Sequence, residues 1–428
     1  MPNSSRFSST SFAALQKATR VSRRRRRSLF RLGTLASVAV LAGTIGGGPP
    51  AHSAPQGSGY VALGDSYASG VGAPPYAKGT DVQVENGNKC KRATAAYAHQ
   101  VADRTGKTLD FGACAGARTS DFYQPRTSWN EPAQLDRLNA STSLVTFSIG
   151  GNDAGFSTIF SKCVTAAPFS TCSGNNEVSE QVDGAIDALA GKTTRAGVTS
   201  YDTLMADITT RAPGATVVAV GYPHMFTSQG AGQILPVPGR CEGVTKVDQR
   251  WINAKTDELN AALRAAAQRR DQRFVDPSGS FAGHELCGQQ SSWFDGLIED
   301  GRFHPNADGH KAMASSVMGA LNAQEQEAAQ EQPAAAQAQV NNTRPTGSFT
   351  LTRERDQLAL DASASTDTDG AIAGIDWYIQ HADGTEEVLT GTRATTKVPA
   401  DKQAVVTAVI TDNQGKETFT TQTSPAAG

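Results

Sequence analysis

Three short apolar runs each stop at a glycine: Tyr60-Val61-Ala62-Leu63 before Gly64, Leu144-Val145-Thr146-Phe147-Ser148-Ile149 before Gly150, and Thr216-Val217-Val218-Ala219-Val220 before Gly221. Runs this short and this continuous read as strands buried on both faces. Stretches with helical spacing separate them, for example 202–210 and 247–270. Strands alternating with helices predict an α/β domain, a parallel sheet with helices on both faces. In such sheets ligand sites form outside the carboxyl ends of the strands. Residues just after these glycines are therefore the first candidates for chemistry.

Four motifs carry that chemistry. Gly64-Asp65-Ser66-Tyr67 offers Ser66 as a nucleophile, although a serine there also reads as a helix N-cap. Its hydroxyl is weak until a base takes the proton. Ala113-Cys114-Ala115-Gly116-Ala117 offers Gly116, whose backbone N–H a substrate oxygen can approach closely; alone it reads as a loop glycine. Gly150-Gly151-Asn152-Asp153 offers the Asn152 amide, a neutral donor to an oxyanion, or else a plain turn asparagine. His304-Pro305-Asn306 offers His304 as general base, ahead of a helix expected to run to about 321. Of the other histidines beyond residue 53, His310 falls inside that helix, and His99, His224, His284 and His381 have no motif. A nucleophile, two donors and a base together make a full set for acyl transfer.

In this order the four blocks resemble those of the SGNH (GDSL-type) serine hydrolases, the secreted actinomycete lipases and esterases in particular, over roughly residues 58–323. The resemblance implies a flavodoxin-like three-layer fold. It implies Ser66 as nucleophile, His304 as base, and an oxyanion hole made of the Ser66 and Gly116 N–H groups and the Asn152 amide. It implies carboxylic ester hydrolysis through an acyl-enzyme with no metal or organic cofactor. Fatty acyl esters are the expected substrates, with phospholipids and acetylated polysaccharides as alternatives served by the same machinery. Relatives also imply sequential disulfides, Cys90 to Cys114, Cys163 to Cys172 and Cys241 to Cys287.

The chain departs from the family pattern at one place. The family carries Asp three residues before this histidine; here that position is Gly301. Asp300, one residue earlier, is the candidate third member of the triad, but in an extended loop alternate side chains face opposite ways. The Gly301 or Arg302 carbonyl reaches without any side chain, as in some secreted relatives, and Asp295 is a third option.

The first fifty-odd residues read as a targeting segment. Arginines at 23–27 precede a short apolar stretch at 33–45, and Ala51-His52-Ser53 offers a small-x-small cleavage site. The arginine run also fits a twin-arginine signal. Expected boundaries are a signal peptide at 1–53, a hydrolase domain at 54–323, a linker at 324–345 and a β-sandwich at 346–428. Removing the leader takes away nine of the 39 basic residues and none of the 41 acidic ones, so the exported chain is strongly acidic. That disfavours nucleic acid and anionic membrane surfaces as partners. A secreted monomer with no membrane anchor is expected. Six cysteines behind an export signal read as disulfides, although fifteen pairings are possible in principle.

After Pro345 short alternating segments appear, separated by Asp369-Gly370, Asp383-Gly384 and Asn413-Gln414-Gly415. This spacing predicts an all-β, immunoglobulin-like sandwich, and the stretches 360–370 and 411–415 resemble PKD-like modules. Asp367 and Asp369 serve either a satisfied turn or a calcium ion. Two rival functions stay in view: a binding or adhesion protein built on a hydrolase scaffold, and a transacylase that prefers an alcohol to water.

Overall fold

The computed structural model describes residues 59–81, 88–164, 171–228, 230, 240–323 and 342–425. The expected leader and the Gln/Ala/Glu-rich stretch 324–341 lie outside the described residues. Five parallel strands form the first sheet: β1 (Gly59–Gly64), β2 (Thr108–Phe111), β3 (Thr142–Ser148), β4 (Thr216–Val220) and β5 (Arg273–Val275), in the order β2-β1-β3-β4-β5. The three glycine-terminated runs are β1, β3 and β4. All three are central and nearly fully buried, whereas the edge strands β2 and β5 are only half-buried.

The helices are α1 (Ser66–Ser69), α2 (Tyr97–Thr105), α3 (Phe156–Val164), α4 (Asn176–Leu189), α5 (Tyr201–Arg211), α6 (Lys246–Gln268), α7 (Ser278–Phe281) and α8 (Ala307–Asn322). α2 packs on α8, and α4 and α5 pack on α6. Right-handed crossovers running outward in both directions from β1 and β3 put these two groups on opposite faces. The expected α/β sandwich is the observed one. Side-chain caps fix the helix starts: Ser200 accepts from the Thr203 N–H, Thr245 from Asp248, and Asn306 from Asp308 and Gly309. Tyr60, Leu63, Phe147, Val218 and Trp251 fill the core between the layers.

The strand order reverses between β1 and β3, so the chain leaves these neighbours in opposite directions and opens a crevice at their carboxyl ends. Ser66 follows one strand and Asn152 the other.

The C-terminal unit is all β. β6 (Thr350–Glu354), β7 (Gln357–Asp361) and β10 (Arg393–Lys397) form one antiparallel sheet. β8 (Ile372–Gln380), β9 (Glu386–Thr390), β11 (Val405–Asp412) and β12 (Glu417–Thr423) form the other. Trp377, Leu358, Ile375, Val406 and Ile410 are buried between them, as a sandwich requires. The outer face of β8 and β11 is buried as well, because Tyr378 and Val409 pack on Val247 of α6. Arg250 of α6 pairs with Asp376 and Glu417 of the sandwich. Arg344, just ahead of the sandwich, pairs with Asp183 of α4 and Glu258 of α6. Asp369 accepts the Thr343 N–H at 2.8 Å.

Three disulfides join Cys90 to Cys114, Cys163 to Cys172 and Cys241 to Cys287. Among the described residues, no helix is long and apolar enough to cross a membrane.

Candidate active site

β1 ends in a bend that only glycine tolerates. Gly64 has φ +125°, and a Cβ there would sit 2.2 Å from the Ser148 carbonyl oxygen of β3. The chain then turns sharply. Asp65 caps the stub helix α1 by accepting the Tyr67 N–H at 3.0 Å, which leaves Ser66 as its first residue at the strand's end. The Ser66 hydroxyl lies 2.8 Å from His304 Nε2.

His304 arrives from the loop before α8. Its Nδ1 faces the Arg302 carbonyl at 2.8 Å and the Gly301 carbonyl at 3.1 Å. Carbonyls only accept, so the Nδ1 carries the proton and Nε2 is left to accept from Ser66. Burial lowers the pKa of His304 from its usual value, against the pull of the two carbonyls, and Lys91 lowers it further. The imidazole is therefore neutral at pH 7, the state a general base requires.

Of the three options for the third member of the triad, the carbonyls and not Asp300 face Nδ1. The Asp300 carboxylate makes no hydrogen bond to His304 among the described contacts, because backbone carbonyls already occupy the Nδ1 side. Nor is there space for a carboxylate at 301. A Cβ on Gly301 would lie 2.3 Å from the Gly72 Cα and 2.2 Å from Asp295 Oδ2. Asp295 sits one step away: it accepts the Gly301 N–H, and its backbone pairs with Phe303 and His304. The loop is tied to the nucleophile turn by Tyr67, whose hydroxyl donates to the Phe303 carbonyl at 2.8 Å. Phe303 itself holds a left-handed φ of +61°, a strained conformation for a bulky residue beside a reacting group.

Asn152 follows Gly150-Gly151 at the end of β3 and donates from Nδ2 to the Ala117 carbonyl at 3.0 Å. That contact sets it beside the Gly116 turn, where Gly116 has φ +70°. Among the described residues, the Ser66 and Gly116 N–H groups have no protein acceptor. Ser66, Asn152 and His304 line one cavity of about 340 Å³; Gly116 is not among its lining residues.

Two buried carboxylates brace these turns. Asp65 accepts from the Tyr222 hydroxyl at 2.5 Å, and that hydroxyl accepts the Gly151 N–H at 3.0 Å, which links the Ser66 turn to the Asn152 turn. Burial pushes the Asp65 carboxyl up to about 7, against its hydrogen bonds from Tyr222 and Tyr67. Asp153 accepts from the Thr119 N–H at 3.0 Å and hydroxyl at 2.8 Å, holding the segment after Gly116; burial pushes it up to about 6. Tyr222 was not picked out from sequence, although its place just after the β4 glycine was a signal.

The cavity walls were not picked out either. Phe156, Phe160 and Val164 line it from α3, Leu297 and Phe303 from the loop before α8, and Phe160 stacks on Phe303 with ring centroids 5.0 Å apart. Phe156, Phe160 and Val164 recur every four residues, so one helix face was readable directly after Asn152-Asp153. Among the described residues, one group has metal-ligand chemistry: Cys163, Cys172 and Asp248. Its two sulfurs are bonded to each other, and the Asp248 carboxylate accepts the Cys172 and Ser173 N–H groups.

The profile of the GDSL-like Lipase/Acylhydrolase family matches residues 62–312. The chain is 35% identical to Lipase 1 of Streptomyces coelicolor over 288 residues, which cover 65% of this chain and 94% of that protein. Among solved structures it is similar to the extracellular lipase of Streptomyces rimosus (33% identity, 61% of this chain and 98% of that one, TM-score 0.49). It is also similar to phospholipase A1 of Streptomyces albidoflavus NA297 (31% identity, 62% of this chain and 98% of that one, TM-score 0.48).

Proposed function

The chain belongs to the GDSL-like Lipase/Acylhydrolase family and is a carboxylic ester hydrolase, and from that premise we propose that it is exported and cleaves fatty acyl esters through an acyl-enzyme on Ser66. The observation that carries the proposal is the Ser66–His304 contact of 2.8 Å at the edge of a cavity walled by Phe156, Phe160, Val164, Leu297 and Phe303. An acetyl group needs none of that apolar wall, whereas a long acyl chain gains from burial against it.

In the proposed sequence His304 Nε2 takes the Ser66 proton as the hydroxyl oxygen attacks the ester carbonyl carbon. The oxyanion is held by the Ser66 and Gly116 N–H groups and the free N–H of the Asn152 amide. The imidazolium keeps its Nδ1 proton on the Arg302 and Gly301 carbonyls and passes the Nε2 proton to the departing alcohol. Water then enters, His304 acts as base again, and the acid is released. Carbonyl dipoles fix the tautomer as a carboxylate does but stabilise the imidazolium less. Export is supported by the three disulfides, which persist in oxidising compartments.

The test is a panel of nitrophenyl esters from acetyl to palmitoyl, run beside a phospholipid and acetylated xylan. Turnover is expected to favour longer acyl chains, Ser66→Ala to abolish it, and Asn152→Ala to lower kcat by about 10²–10³-fold. Full activity in folded Ser66→Ala would sink the reading, and a preference for acetylated xylan would move the substrate class to polysaccharide.

A further inference from the structure

The acyl pocket and the C-terminal sandwich meet at one helix end. The first N–H groups of any helix lack intrahelical partners. In the 23-residue α6 the Thr245 side chain takes the Asp248 N–H at 3.2 Å. The N–H groups of Lys246 and Val247 go to Glu386 of β9, at 3.0 and 3.4 Å. A carboxylate from the sandwich thus completes the cap of a hydrolase-domain helix, at the end where the helix dipole favours negative charge. Val247 is buried with Tyr378 and Val409 beside it, and Arg250, one turn on, reaches Glu417 at 2.6 Å.

The same helix end carries both cavity walls. Asp248, fully buried, accepts the N–H groups of Cys172 at 3.2 Å and Ser173 at 2.9 Å. Cys172 is disulfide-bonded to Cys163, next to last in α3, whose Phe156, Phe160 and Val164 form one wall. Thr421 of β12 presses on this loop from the sandwich side: a Cβ on Gly174 would sit 2.8 Å from its Oγ1. Just ahead of the α6 cap, Gly243 lies against Val164, with 3.4 Å from its Cβ position to Val164 Cγ1. Glu242 accepts the Leu297 N–H at 2.8 Å and so holds the opposite wall. None of these contacts involves Ser66, Asn152 or His304.

We infer that the C-terminal sandwich determines acyl-chain preference: through Glu386 and Thr421 it fixes the α6 end on which α3 and Leu297 stand, and Glu386 is a positioning residue for the long-chain ester. The inference rests on the ester-hydrolase site proposed above. It assigns the sandwich a part in the pocket itself, where a separately tethered module has none. An acetyl ester does not reach the α3 wall and is indifferent to the brace.

The experiment compares kcat/KM for palmitoyl and acetyl nitrophenyl esters in the full-length protein. Glu386→Ala is expected to lower the palmitoyl-to-acetyl ratio about fivefold or more, with acetyl turnover kept. Glu386→Gln, which still accepts a hydrogen bond, recovers most of the ratio. Joint Cys163→Ser and Cys172→Ser lowers the ratio in the same way, and adding Glu386→Ala to that pair lowers it little further, since all act through one helix end. Thr421→Arg, which pushes on Gly174 without touching α6, makes the same comparison if Glu386→Ala does not fold. An unchanged ratio, an equal fall on both esters, or strictly additive losses overturns the inference. A wild-type protein that hydrolyses neither ester instead overturns the function proposed for the site.

Discussion

His304 has backbone carbonyls where a triad carboxylate is expected, and the loop's own sterics enforce this. Gly301 crosses against Gly72 so closely that any side chain there collides, and the Gly301 and Arg302 carbonyls are left facing Nδ1. Asp300 is then a loop carboxylate with no hydrogen bond to the base. Asp300→Asn is expected to leave kcat within about twofold of wild type, while His304→Ala costs about 10³-fold or more. Steady-state kinetics on a soluble ester checks this, and an Asp300→Asn loss near that of His304→Ala would restore the aspartate to the triad. At this scale Ser66, Asn152 and His304 were legible because each side chain supplies the functional atom itself. The carbonyl partner of His304 was legible only as one of three options, because a carbonyl belongs to every residue and leaves no mark in composition. Tyr222 escaped for a related reason: its hydroxyl works by joining Asp65 to the Gly151 N–H, and both partners lie far away in sequence.

Helix α8 follows the His304 loop and carries a second, wholly buried histidine. His310 accepts the Tyr97 N–H at Nδ1, and among the described residues its Nε2 has no partner. Burial pushes its pKa down to about 3. An unfolded chain protonates this imidazole near pH ~6.5, while the folded one does not. The stability His310 contributes is therefore fully present above that value and is lost as pH falls toward 3. Between pH 7.5 and 4.5 the loss amounts to about 2–3 kcal/mol. In His310→Gln the fall in unfolding free energy over that interval should be smaller by about this amount, as read by urea denaturation at both pH values. An identical fall in wild type and variant would show that His310 is hydrated or protonated in the fold. At the scale of elements, the central strands announced themselves because burial on both faces demands unbroken apolar runs. β2 and β5 did not, since an edge strand with half-exposed residues such as Arg273 carries no such run. In β11 both faces are apolar because Val409 is covered by Val247, so Val405-Val406-Thr407-Ala408-Val409-Ile410 alternates poorly.

For the molecule as a whole, the sandwich was expected to hang on a linker. The described residues instead show it joined to α4 and α6 by Arg250, Arg344, Glu386 and the Val247–Tyr378–Val409 cluster. Nothing in either half alone could reveal this, because each charge reads as a solvated surface residue until its partner is placed. Units coupled in this way should melt together. Scanning calorimetry is expected to give one transition for the wild type. Arg250→Met leaves Asp376 and Glu417 half-buried without their cation and should split off an earlier one. Two resolved transitions in the wild type would show the interface to be weak. The sheet order has a consequence for the order of events during folding. Ser66 and His304 are 238 residues apart, and the Asn152 turn reaches Ser66 only once β3 has paired beside β1. Bringing such distant segments together is slow and comes late, since the entropy of closing long loops opposes it until the intervening structure has formed. A nascent or half-folded chain thus presents a serine with neither base nor oxyanion donor. Hydrolytic competence appears only with the finished sheet and the returning α8 loop.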